Sequence, residues 1–127
     1  MKVLLDTNVL IMVVQGGTRL SSAMAALLAD RDTQSFVSAV SIWEMSIKYR
    51  LGKLTLPRGP AAIVEGLRSI RIAPLSLHAT YAAEDSDLPE TVKDPFDRMI
   101  MAIAEREQWT LLTTDRALLD HPLAWRP

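Results

Sequence analysis

Cysteine is absent from the sequence, which excludes disulfides, cysteine nucleophiles and thiolate metal sites together. Long apolar runs are missing as well. Val9–Val14 and Met99–Ala104 hold six residues each, where a bilayer span needs roughly 20. No secretory signal is legible at the N-terminus, because Asp6 interrupts the first apolar run. These absences predict a soluble cytoplasmic protein with no membrane partner. An excess of positive charge is also lacking. A net charge of −1 at pH 7 argues against a broadly basic nucleic-acid surface, so any such contact must be local. What remains is ordinary globular composition, 49% hydrophobic and 23% charged in 127 residues. That is the size of one domain, 1–127, since neither half would bury a sufficient core.

The pattern along the chain alternates strands with helices. Val3-Leu4-Leu5 is an apolar run without alternation, which predicts a strand buried on both faces. A helix over Val9–Val14 is predicted to stop at Gly16-Gly17, and a second to run from Leu20 to about Asp30. Phe36-Val37 predicts a short strand. Ser38 then caps a helix carrying Val40, Trp43, Glu44, Ile47 and Leu51 to Gly52. Leu56–Pro60 reads as a connector, Ala61–Leu67 as a helix, Ile70–Ile72 as a strand ended by Pro74, and His78–Ala83 as a short helix. The polar stretch from Asp85 to Lys93 is a loop. Pro95 suits the first turn of a helix reaching Glu107. Trp109–Leu112 predicts a strand, followed by a short helix to Leu119 and an edge strand around Leu123–Trp125. Such an order implies a mainly parallel sheet covered on both faces.

Acidic residues occupy the places where this layout puts ligands. Asp6 and Asp115 each follow an apolar strand, at the carboxyl edge of a parallel sheet. Taken singly, each is equally well a helix N-cap. Glu44 shares a helix face with Val40, Ile47 and Leu51, where an unpaired carboxylate would be costly. Its bland reading is an i,i+4 pair with Lys48. Asp97 lies one turn before Ile100 and Met101, and its bland reading is a first-turn acid favoured by the helix dipole, like Asp94. Four acids converging on one sheet edge would repel unless a cation joins them. Hard oxygen ligands without cysteine or clustered histidine favour Mg²⁺ or Mn²⁺. Such an ion activates water and neutralises charge developing on a phosphodiester.

These blocks resemble the PIN-domain family, and in particular bacterial toxin ribonucleases of the VapC type. The resemblance rests on LLDTNVLI at 4–11, SAVSIWEMSIKYRLGKL at 38–54, KDPFDRMIMAIA at 93–104 and LLTTD at 111–115. It implies a three-layer α/β/α fold with a central parallel sheet. It also implies Mg²⁺-dependent endoribonuclease activity and inhibition by a cognate antitoxin. The family's acidic positions fall on Asp6, Glu44, Asp97 and Asp115, and its TxD hydroxyl falls on Thr113, with Thr7 in a similar supporting place. Asp94 and Arg98 belong to DPFDR, where Arg98 either forms an ion pair at the helix start or contacts phosphate. Close relatives commonly carry histidine where Asn8 and Thr91-Val92-Lys93 stand here, and His78 and His121 do not replace them.

Asn8, Lys48, Lys93 and Arg98 are the candidates for substrate contact, with Arg50 and Lys53 nearby. Trp43 reads as core rather than as a stacking platform. Leu10, Met12, Leu20 and Met24 suggest an antitoxin groove or a homodimer interface. Three rivals remain. A haloacid-dehalogenase-type phosphatase would want a second aspartate where Asn8 stands. A receiver domain would want a lysine after a late strand, where Thr113-Thr114-Asp115 stand. A PIN-like binding domain that has lost catalysis is weakened by the retention of all four acids.

Overall fold

The computed structural model describes residues Met1–Pro127. Four strands, β1 (Lys2–Leu5), β2 (Gln34–Ser38), β3 (Ile72–Leu75) and β4 (Thr110–Leu112), form one sheet in the order β3-β2-β1-β4. Every pairing is parallel. Seven helices surround it: α1 (Thr7–Val14), α2 (Ser22–Ala29), α3 (Ala39–Arg50), α4 (Pro60–Gly66), α5 (Ala79–Ala82), α6 (Pro95–Glu107) and α7 (Arg116–Leu119). No helix is long and apolar enough to cross a membrane.

Two cores explain why β1 is apolar without a break. Val3 and Leu5 pack on one face with Val9 and Leu10 of α1, Met45 of α3 and Ile63 of α4. Leu4 packs on the other face with Ile100, Met101 and Ala104 of α6 and Leu118 of α7. A strand buried on both sides has no solvent face to mark with a polar residue. The result is the three-layer α/β/α arrangement that the resemblance implied. Leu10 is fully buried and belongs to the core, while Leu20 and Met24 pack against the same cluster and stay partly exposed.

The local signals act as their chemistry requires. Ser38 Oγ accepts from Val40 N–H at 3.1 Å and starts α3. Gly16 (φ 106°) and Gly17 (φ 76°) end α1 in a conformation that side chains resist. Pro74 does not end β3 but lies inside it, paired with Val37. β3 is an edge strand, and a proline there can turn its missing N–H away from the ladder. The predicted strand at Leu123–Trp125 reduces to one parallel bridge, Leu111 with Ala124. Leu111 N–H donates to Leu123 O and Trp125 N–H to Leu111 O, both at 2.8 Å, so the tail covers the β4 edge without extending the ladder.

Topology sets up the site. β1 leads to β2 and β3 on one side, and the chain then returns to place β4 on the other. A crevice opens at the carboxyl ends of β1 and β4, the switch point where open parallel sheets bind ligands.

Candidate metal centre

Register delivers the first two groups. Leu5 pairs with Leu112, so Asp6 and Thr113 emerge side by side beyond the strand ends. The Thr113 hydroxyl donates a short hydrogen bond to Asp6 Oδ2, while Val9 N–H donates to Asp6 Oδ1 at 2.8 Å. Asp6 is thus the N-cap of α1 and an oriented acid at the crevice together. The two readings of this residue do not exclude each other. Thr113 is 1% exposed, and its oxygen also accepts from Asp115 N–H at 3.0 Å. One buried hydroxyl therefore braces both acids. Asp115 caps α7 through Ala117 N–H at 2.9 Å.

Asp97 comes from the first turn of α6. Asp94 caps that helix, accepting from Phe96 N–H at 2.8 Å and Asp97 N–H at 3.1 Å. Glu44 comes from α3, whose buried face runs through Val40, Ser41 and Met45. Leu51, assigned to the inward face with Glu44, is 51% exposed instead. Glu44 sits at the margin of the buried face, its side chain 14% exposed and 3.4 Å from Lys48.

The four acids face one cavity of about 130 Å³ that has no hydrophobic lining residue. Asp94, Thr7, Asn8 and Lys48 complete its wall. Crowding raises the acids' affinity for protons. The Asp97 carboxyl is pushed up to about 8, first by burial, then by its hydrogen bond to Asp115 and the charges of Asp115, Asp94 and Glu44. Asp6 is also raised, mainly by burial, against the opposing hydrogen bonds from Thr113 and Val9. The proton held by Asp97 and the Lys48 ammonium thus balance part of the negative charge.

The donor set fits a hard divalent cation. The wall is polar throughout, the acids compete for protons, and the Thr7 hydroxyl is buried without a partner. An unpaired buried hydroxyl costs about 1–3 kcal/mol, so an incoming oxygen at this wall would relieve it. As they stand, no three of the Asp, Glu or His side chains are placed to hold a metal ion together. Holding a cation would therefore require the Asp97 proton to leave and the carboxylates to draw together.

The basic candidates fare differently. Asn8 and Lys48 lie on the cavity wall and also on an adjoining furrow of about 570 Å³. Arg19 and Lys53 line that furrow over Ile11, Met12 and Leu54; no local motif in the sequence singled out Arg19. Lys93 stands exposed in the loop before α6 and does not line the cavity. Arg98 is engaged by its own chain, and it does not line the acid cavity. Its guanidinium donates to Asp85 Oδ1 (2.7 Å), Pro89 O (2.7 Å) and Val92 O (2.8 Å), with the side chain 11% exposed. It ties the 85–92 loop to α6. Trp43 is not core but 63% exposed, its ring 5.5 Å from that of Phe96. The histidines lie elsewhere: His78 is exposed beyond β3, and His121 pairs with Glu105 at 2.8 Å.

A sequence model of the PIN domain family matches residues 3–122. VapBC2 from Rickettsia felis, solved bound to a DNA fragment from its promoter, has a chain 18% identical with a TM-score of 0.69. The match covers 98% of this chain and 96% of that one. A toxin–antitoxin complex from Klebsiella pneumoniae has a chain 21% identical with a TM-score of 0.68, covering 98% of this chain and 97% of that one. Mycobacterium tuberculosis VapC20, described as a sarcin–ricin loop cleaving toxin, is 13% identical with a TM-score of 0.67, over 98% and 99% of the two chains. No curated protein matches the sequence significantly.

Proposed function

The chain belongs to the PIN domain family, and from that premise we propose that it is a divalent-metal-dependent endoribonuclease, the VapC-type toxin of a toxin–antitoxin pair. The observation that carries the reading is the meeting of Asp6, Glu44, Asp97 and Asp115 in one polar cavity at the sheet's switch point. Mg²⁺ or Mn²⁺ held by these carboxylates supplies Lewis acidity and a more acidic bound water.

The chain's own residues do the remaining work. Thr113 fixes the direction of Asp6 and the backbone of Asp115, so neither has to be ordered when substrate arrives. Asp97 keeps a proton in the metal-free state and, once deprotonated, would hold the cation together with Asp6, Glu44 and Asp115. Lys48 shields Glu44 and stands where the cavity opens into the furrow, at the place of an incoming phosphate. Asn8 offers an amide at the same mouth in place of the histidine common in close relatives. Arg19 and Lys53 extend positive charge along the furrow, giving a flanking strand the local attraction that a net charge of −1 cannot.

RNA as substrate class is supported by the Mycobacterium tuberculosis relative and by an acid-lined site suited to phosphodiester hydrolysis. The Rickettsia felis and Klebsiella pneumoniae complexes support a cognate antitoxin as partner. In this reading residues 1–127 act as one PIN unit in the cytoplasm, where the RNA and Mg²⁺ are found. A homodimer remains part of the proposal on family grounds. No feature favours the phosphatase, because Asn8 stands in place of its second aspartate.

Purified chain freed of antitoxin, incubated with fluorescent single-stranded RNA, tests the reading. Cleavage is expected with Mg²⁺ or Mn²⁺ and none with Asp97→Ala. Unchanged cleavage in excess EDTA would sink it.

A further inference from the structure

At the opposite edge of the sheet from the acids lies an open basin of about 450 Å³ lined by Arg31, Arg68 and Arg71. The three come from separate segments: the turn before β2, the 3₁₀ turn after α4, and the residue just before β3. Thr33, Ser35 and the half-buried Phe36 form part of its floor, and no carboxylate lines it. Arg71 is fixed in place, donating to Ala29 O (3.4 Å) and Asp30 O (3.0 Å). Its backbone is left-handed, φ 65°, a conformation that glycine takes more readily. Arg71 thus places its guanidinium at the basin at some conformational cost. Arg31 and Arg68 are exposed and enter none of the four salt bridges of the structure. In a chain of net charge −1, a concave surface lined by three guanidinium groups and no carboxylate attracts anions, with Asp30 and Asp32 beside Arg31 the nearest opposing charges in sequence.

We propose that this basin is a second anion site, which holds backbone phosphates of the same RNA whose strand lies at the acid cavity. It rests on the ribonuclease reading. Guanidinium forks match phosphate oxygens in pairs, more selectively than ammonium groups do. The basin offers a folded protein partner little apolar surface to bury, since Ile72 is 3% exposed, Ala73 is small and Phe36 is half-buried. The basin lies at the amino ends of β2 and β3 and the acids beyond the carboxyl ends of β1 and β4, so a strand length of ~15 Å and about two strand spacings of ~4.8 Å put them roughly 20 Å apart. With roughly 3.4 Å of axis per base pair, that distance is about six base pairs. The ligand is an RNA arm flanking the cut strand and long enough to pass from one end of the sheet to the other. A single strand shorter than that span would reach only one of the two sites.

The Arg31→Glu/Arg68→Glu double variant tests this, with the matching double alanine variant as a milder check. Both positions are exposed, so melting curves should match the parent. Binding is read in EDTA, in an Asp97→Asn background, by fluorescence anisotropy. The probes are an RNA hairpin with a stem longer than the span and its isolated single-stranded loop. Hairpin affinity should fall at least tenfold, and the slope of log affinity on log salt should lose about 2. Loop binding should not change. With Asp97 intact and Mg²⁺ present, KM for the hairpin should rise while kcat and loop cleavage hold. Unaltered hairpin affinity and salt slope would overturn the proposal. So would a polyglutamate peptide that binds the basin while the hairpin does not, which would indicate an acidic protein partner. Failure of the ribonuclease reading shows separately, as uncut RNA with the wild-type chain.

Discussion

Replacing Asp97 by Asn in the metal-free protein should stabilise it, and only above acidic pH. The Asp97 carboxyl has an ordinary value of 3.8 and stands at about 8 in the folded chain, through burial and the acids around it. The folded state therefore binds this proton more tightly than the unfolded state. Stability from the neutral carboxyl is fully present below 3.8 and is lost as pH rises towards 8. The whole interval would be worth about 6 kcal/mol for a fully desolvated group. Asp97 is only half-buried, and solvent screening reduces that to about 2 kcal/mol. Asn is neutral at every pH and retains an N–H donor for Asp115. Thermal melts of both proteins in EDTA should coincide near pH 4. By pH 8 the variant should melt roughly 6 °C higher, about 2 kcal/mol for a chain of this size. Saturating Mn²⁺ should reverse the order, because only the wild type gains from binding. A variant melting lower at pH 8, or a difference independent of pH, would refute the crowding of acids on which the metal centre rests.

Asp6→Ala and Asp6→Asn should both abolish RNA cleavage, yet the alanine variant should be less stable by about 1 kcal/mol in chemical denaturation, since it loses the N-cap of α1. Equal stabilities would remove the capping role. Arg98→Ala should cost about 2 kcal/mol and expose the 85–92 loop to proteases, because it frees the Pro89 and Val92 carbonyls. Unchanged stability with lost RNA binding would restore a phosphate contact. Trp43→Ala should change stability by less than about 0.5 kcal/mol, as for an exposed side chain; a loss of about 3 kcal/mol or more would return it to the core.

The parallel fold was legible because strands buried on both faces must be apolar throughout, as Val3-Leu4-Leu5 is, while α6 carries a proline start and a clear helical period. Pro74 misled because a proline ends a central strand but is tolerated at an edge, and edge position is a tertiary fact. The tail misled for a related reason: Leu123–Trp125 has strand composition, but makes only one bridge to β4. Trp43 was assigned by periodicity, which fixes spacing along α3 but not which stripe faces inward. The acids illustrate another ambiguity. Asp6, Asp94 and Asp115 each cap a helix and also face the cavity, so capping and ligand chemistry leave one signature in the sequence. Arg98 looked equally suited to phosphate and to an ion pair, and only the path of the 85–92 loop decides between them. Arg19, Arg31 and Arg68 carried no local signal, since their shared surfaces arise from segments distant in sequence.

The central claim is that four carboxylates from four elements make one metal site. Mn²⁺ affinity measured calorimetrically on the wild type and on Asp6→Ala, Glu44→Ala, Asp97→Ala and Asp115→Ala tests it most directly. The account predicts weaker binding in every variant, in parallel with lost RNA cleavage. Undiminished Mn²⁺ affinity across all four would contradict it.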